Sequence, residues 1–215
     1  MSAQVDISIL ELLSSKICHD LISPIGAVNN GIEFMTEMGA DAGDEATDLI
    51  AFSAQQASAK LQAFRIAYGA GGADGSLKPE DVHKSIQAII GAEDKITQSW
   101  DPYGELGYED RPDAFCKILI CAMLLAMECL PKGGDLTVSA GEQNEQTLLK
   151  ASGTNAGARE MMEEALDLGI HKDELEPKHV HAYMTGLLAK AYDFKISISD
   201  TAPDSVTLII ELPSA

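Results

Sequence analysis

Residues 16–27, Lys16-Ile-Cys-His19-Asp20-Leu-Ile-Ser23-Pro24-Ile-Gly26-Ala27, decide how this chain is read. They lie inside a long helical pattern, from about Ile7 to Met38, in which apolar residues recur at Leu10, Leu13, Ile17, Leu21, Ile25, Val28, Ile32 and Met35. At about 100° per residue these positions form one stripe, the spacing of a buried helical seam. His19 falls about 200° from Ile17 round the axis, so its imidazole is expected on the solvent side with the Asp20 carboxylate beside it. Pro24 interrupts the middle of the pattern and is expected to kink the helix, because the ring removes one backbone hydrogen bond.

Outward from this stretch, Gly39-Ala-Asp-Ala-Gly-Asp44 reads as a turn, with Asp44 as the N-cap of a second helix. That helix is expected to reach Tyr68 and to carry Ile50, Ala54, Ala57, Leu61, Phe64 and Tyr68 on one face. Two helices joined by a short loop make an antiparallel hairpin, which has little of its own to bury against. Pairing with a second copy, as a dimeric four-helix bundle, is the economical solution. Gly69-Ala-Gly-Gly-Ala-Asp-Gly75 has the composition of a flexible linker, so the chain divides into residues 1–72 and residues 73–215.

The second part alternates helix and strand. Helices are expected over 78–90, from Arg111-Pro112-Asp113 to Leu130, over 158–168 and over 177–192. Strands are expected at 96–100, 105–108, 135–140, 195–199 and 205–212, with 146–151 as the hairpin partner of 135–140. The fold class is therefore α+β: a helical hairpin followed by an α/β sandwich with its helices on one sheet face.

With 215 residues, of which 46% are hydrophobic, the chain can build a substantial core. Its 34 acidic residues against 15 Lys and Arg give a formal charge of −19, which disfavours nucleic acid and anionic membranes as partners. Cys18, Cys116, Cys121 and Cys129 form no CxxC pair, and the last three sit in an apolar run where cysteine behaves as a small buried hydrophobe. That run, Cys116 to Leu130, contains Lys117 and Glu128 and is too short to span a bilayer. With no basic-then-apolar leader at the start, a reduced cytoplasmic compartment is expected. His179-x-His181 lacks further ligands for a metal site, and the glycines of 69–75 lack the Lys-Ser/Thr of a phosphate-binding loop.

Imidazole is a good nucleophile near neutral pH when its attacking nitrogen is unprotonated. A neighbouring carboxylate can hold the other ring N–H, fix the tautomer and stabilise the cation that forms when a phosphoryl group arrives. His19 and Asp20 supply both parts. Taken alone, a His-Asp dipeptide reads first as a chance pair of residues on the surface, and the residues around it reverse that reading.

His19-Asp20-Leu-Ile-Ser23-Pro24 resembles the phosphoacceptor box of bacterial sensor histidine kinases, in which histidine is followed by an acidic residue and, five places on, by proline. The resemblance implies a dimeric hairpin with the histidine on its outer face, and then a Bergerat-type ATPase domain. Leu124-Leu-Ala-Met-Glu-Cys-Leu-Pro-Lys-Gly-Gly134-Asp-Leu-Thr-Val resembles the kinase segment in which an asparagine-bearing helix leads into a Gly-rich turn. Here Cys121 and Leu125 stand where asparagines would hold Mg²⁺ and phosphate, and neither offers an oxygen ligand. Ala151-Ser-Gly-Thr-Asn-Ala-Gly157 lacks the adenine-binding aspartate, and Tyr183-Met-Thr-Gly-Leu-Leu188 is an ordinary helical run in place of a Gly-rich lid.

A His-Asp hairpin before a degenerate ATPase domain resembles the ChpT-type histidine phosphotransferases of alphaproteobacterial phosphorelays, over nearly the whole chain. The resemblance implies that the receiver aspartate of a hybrid kinase donates a phosphoryl group to His19. His19 would then pass it to the receivers of CtrA- and CpdR-like response regulators. It implies no bound cofactor and no ATP, with the Mg²⁺ for both transfers on the partner receiver. Asp20 is expected to orient the imidazole. Lys16, Ser23, Gly26, Ala27 and Asn30 are expected to form the docking face around it, the small residues allowing close approach. Two other readings remain open at this level: an atypical active histidine kinase, and a dimeric pseudo-kinase that only binds and regulates a partner.

Overall fold

Asp6 starts the first helix by accepting the Ser8 N–H on its side chain at 3.1 Å, which satisfies one of the orphan donors of the first turn. The computed structural model describes residues 6–39, 43–73, 75–91, 95–143 and 145–212. Helix α1 (Ile7–Met38) runs unbroken for 32 residues through Pro24, so the expected interruption does not divide it. Its fully buried positions are Ile9, Leu13, Pro24 and Gly31. This line lies to one side of the expected stripe: Leu10, Ile25, Ile32 and Met35 are exposed, and Ile17, Leu21 and Val28 are half-buried. Leu13 alone of the eight stripe residues is fully covered.

Helix α2 (Gly43–Tyr68) packs back along α1, giving the antiparallel hairpin. Residues 40–42 of the expected turn lie outside the described residues, and Asp44 sits inside the first helical turn rather than capping it. The buried face of α2 is Ala46, Ser53, Ala59, Ala63 and Ala67, whereas Ala54 and Leu61 of the expected face are exposed. Small side chains win these places because the helices approach closely. A Cβ at Gly31 would stand 2.5 Å from Cγ1 of Ile50.

The Gly-rich stretch after α2 is not a free tether. Lys117, a buried lysine of a later helix (Phe115–Glu128), donates from Nζ to the carbonyls of Ile66, Gly69 and Gly71, and so serves the acceptors left over where α2 ends. Ile9, Ala59, Ala63 and Ala67 belong to the same core as the α/β part.

That part contains α3 (Pro79–Ile90), β1 (Ile96–Gln98), α4 (Phe115–Glu128), β2 (Gly134–Ala140) and β3 (Gln146–Ser152). It continues with α5 (Met162–Leu166), α6 (Val180–Ala191), β4 (Lys195–Ala202) and β5 (Ser205–Glu211). The sheet order is β1-β2-β3-β5-β4, with β1 parallel to β2 and the other neighbours antiparallel. Register places Leu136 opposite Ala151 and Val138 opposite Leu149, and Leu149 and Ala151 in turn opposite Leu208 and Val206. These residues are buried together, which puts the core on one sheet face as the alternating pattern requires. Against that face α4 is buried all round from Phe115 to Ala126.

Two expectations fail locally. Glu105 to Tyr108 is a loop: Leu106 and Tyr108 are buried, but the Leu106 carbonyl accepts the Thr147 hydroxyl and the Gly107 carbonyl accepts the Glu145 N–H. A Cβ at Gly107, whose φ is +96°, would stand 1.9 Å from the Gln146 carbonyl oxygen, so the chain passes too close to β3 for a side chain there. The helix expected over 158–168 is shorter, because Met161 and Leu168 both adopt left-handed backbone, at φ +63° and +60°, on either side of α5; the helix expected over 177–192 is α6, Val180–Ala191. No described helix is long and apolar enough to cross a membrane.

Candidate functional site

His19 lies in the middle of α1 with its side chain 87% exposed. Its Nδ1 is 3.2 Å from Oδ1 of Asp20. A carboxylate only accepts, so Nδ1 carries the proton in this contact, and in the neutral ring Nε2 keeps its lone pair. Asp20 is much less exposed, and its other oxygen, Oδ2, accepts from Lys16 Nζ at 2.8 Å. The two oxygens of Asp20 thus have separate tasks.

Lys16 does not extend into solvent as a free docking cation. It turns toward the α/β part, where its Nζ is also 3.9 Å from Oε1 of Glu128, the last residue of α4. Glu128 gathers two further groups. Its Oε1 lies 3.1 Å from Nδ1 of His181 on α6, and its Oε2 lies 3.4 Å from the Arg159 guanidinium. Arg159 also donates from Nε to the Glu128 backbone carbonyl at 2.9 Å. Burial pushes the Glu128 carboxyl up, but the hydrogen bond from His181 and the charges of His181, Lys16 and Arg159 outweigh it and hold the group below its ordinary value. Glu128 is therefore an anion that accepts from all sides.

A cleft of about 440 Å³ opens beside His19, lined by Ser15, Lys16, Glu128, Arg159, Pro177 and Lys178. A second, of about 470 Å³, shares Lys16, Glu128 and Arg159 with it and continues between Phe64 and Tyr68 of α2 and Ile89 and Ile90 of α3. Of the expected docking residues, Ser23 and Asn30 are exposed, while Gly26 and Ala27 are half-buried. A Cβ at Gly26 would meet nothing within 4 Å, which leaves room for a partner backbone over it.

Sequence reasoning missed Glu128, Arg159 and His181. Glu128 carries the strongest signal in retrospect, as one of two charges in the apolar run 116–130. His179 precedes α6 and His181 lies in its first turn; no group of three or more ligating side chains that could hold an ion occurs among the described residues. The positions that resemble a nucleotide site are packed otherwise. Cys121 and Leu125 are wholly buried, with Cys121 Sγ 3.7 Å from the Ala67 carbonyl oxygen. The 153–157 loop is closed by Asn155 N–H to the Asp204 carboxylate at 2.6 Å and Gly157 N–H to the Cys129 carbonyl at 3.1 Å.

The family model described as the histidine phosphotransferase C-terminal domain matches residues 79–204. The protein phosphotransferase ChpT of Brucella abortus (strain 2308) is 33% identical over 211 residues, which covers 96% of this chain and 98% of that protein. A solved bacterial phosphotransferase superposes with a TM-score of 0.78 at 31% identity, over 97% of this chain and 98% of the other.

Proposed function

Because this chain belongs to the histidine phosphotransferase family, we propose that His19 is its phosphoacceptor, charged from the receiver aspartate of a hybrid kinase and discharged onto response-regulator receivers of the CtrA and CpdR kind. One observation carries the assignment: an exposed imidazole whose Nδ1 is engaged by the neighbouring carboxylate and whose Nε2 is open. In the forward step the Nε2 lone pair attacks phosphorus, the P–O bond to the receiver aspartate breaks, and that carboxylate leaves with the electron pair. The phosphoimidazole keeps its Nδ1 proton and is cationic, and Asp20 stabilises that charge. The second step is the same exchange in reverse onto an acceptor aspartate, so no proton need be lost. Mg²⁺ belongs to the receiver in both steps.

The α/β part does not bind ATP in this reading. Thiol and alkyl side chains replace the oxygen ligands that Mg²⁺ requires, and the carbonyl of Ala67 on α2 already occupies the Cys121 thiol. The uncovered α1 stripe supports a dimer through the hairpin. Covering an exposed Ile25 or Ile32 by the same stripe of a second copy would contribute about 2 kcal/mol per side chain. A homodimeric, cytoplasmic relay follows, with two His19 sites.

The test is incubation of the chain with a phosphorylated receiver and detection of acid-labile, base-stable label. Label on the wild-type chain and none on His19→Ala is the expected result. Label that persists in His19→Ala, or autophosphorylation from ATP with no receiver present, would contradict the proposal.

A further inference from the structure

Asp20 can hold the His19 ring only if its own side chain is held. Its partner Lys16 lies one turn earlier on the same helix. A lysine N-terminal to its carboxylate at i,i+4 is the weaker order for such a pair, and exposed pairs of this kind hold their geometry poorly. What distinguishes this pair is a second carboxylate 3.9 Å from the same ammonium, contributed from 112 positions further along the chain by Glu128. Glu128 is itself fixed from two other places, by His181 at 3.1 Å and by Arg159 at 3.4 Å. At the C-terminal end of α4 an anion opposes the helix dipole, so these donors, not the helix, account for its place there.

We infer that Glu128 is a positioning residue for phosphoryl transfer: by holding Lys16 against Oδ2 of Asp20 it leaves Oδ1 for His19 and fixes the imidazole with Nε2 outward. This rests on the proposed role of His19. The α/β part, without ATP chemistry of its own, thereby contributes to the reacting geometry. The chain of contacts runs His181 and Arg159 to Glu128, then Lys16, Asp20 and His19, across three helices and one loop. With Glu128 neutral, Lys16 is free to leave Asp20, and the carboxylate then turns about χ1 and χ2 away from the ring.

The experiment is single-turnover transfer from a phosphorylated receiver to the full-length chain, over a range of receiver concentrations, with wild type, Glu128→Gln, Lys16→Met and the double variant. Glu128→Gln should lower the rate at saturating receiver by roughly ten- to a hundredfold while the half-saturating concentration stays unchanged. Lys16→Met should lose a similar factor, and the double variant no more than the larger single effect. In ¹⁵N spectra of the His19 ring, the Nδ1–H tautomer should dominate in wild type and mix with the other in Glu128→Gln. Should Glu128→Gln fail to fold, Glu128→Asp keeps the charge for His181 and Arg159, withdraws it from Lys16, and carries the same expectation. A folded variant that transfers at the wild-type rate, one that loses only receiver affinity, or single effects that multiply in the double variant would each overturn the inference and leave the role of His19 standing. A wild-type chain that takes no label would remove that role, and the inference with it.

Discussion

The thiol of Cys121 on α4 sits 3.7 Å from the carbonyl oxygen of Ala67, in the last turn of α2, with both side chains wholly buried. The second helix of the hairpin thus covers the face of α4 that carries Cys121. Burial pushes the thiol up to about 12, against the opposing pull of the Lys117 ammonium, so it stays protonated and inert. Cys121→Asn should therefore gain no nucleotide affinity and should lose about 1–3 kcal/mol of stability, since its amide finds no water there. Isothermal titration with Mg-ATP and urea melts check the two halves, and micromolar ATP binding by either protein would contradict the first.

Asp20→Asn keeps the shape of the side chain but removes the charge that stabilises a phosphoimidazolium. Transfer to His19 should slow by about two orders of magnitude, within the range for loss of a group of this kind, while thermal stability changes little. Rapid-quench labelling against a melting curve measures both.

Lys117→Met fills the same space but leaves the carbonyls of Ile66, Gly69 and Gly71 without their shared donor. A loss of about 2–4 kcal/mol is expected, because several acceptors lose a charged partner at once. Hydrogen exchange should quicken in the last turn of α2 before anywhere else.

The Asp6 carboxyl is held down at about 2, chiefly by the Lys172 ammonium, with the Ser8 N–H and hydroxyl adding to it. An unfolded aspartate titrates near 4. The stability this contact contributes is therefore fully present above about pH 4 and is lost as pH falls toward about 2. Asp6→Asn should be less stable than wild type at pH 6, and the difference should shrink on acidification. A gap that grows on acidification would run against this sign.

Ile25 and Ile32 are half-exposed on α1 in the single chain. Ile25→Lys with Ile32→Glu should leave the helical circular dichroism signal in place and convert a dimer to a monomer by light scattering. A wild-type chain that is already monomeric at high micromolar concentration would contradict the bundle.

Much of this was legible locally. The helical period from Ile7 to Met38, the outward His19 and the adjacent carboxylate are matters of spacing along one helix, and α1 carries them as expected. The hairpin strands at 135–140 and 146–151 are paired as their alternation implies. Spacing could not say which of two adjacent stripes on α1 the chain itself covers. A regular apolar period serves a partner subunit as readily as a neighbouring helix, and here it is the line through Ile9, Leu13, Pro24 and Gly31 that is buried within the chain. Nor could it separate the large face of α2 from its alanine face, because close packing selects small side chains that a hydrophobicity pattern undervalues.

By itself, then, the sequence determined that a histidine faces solvent from a long amphipathic helix with an aspartate beside it, ahead of an α/β part with no oxygen ligands at Cys121 and Leu125. Only the tertiary structure decided that Lys16 faces inward to Glu128, and that His181 and Arg159 converge on the same carboxylate. Neighbours on one helix are fixed by 3.6 residues per turn, whereas these four meet from α1, α4, α6 and the loop before α5. Their meeting depends on how the core brings those elements together, and no local period records that.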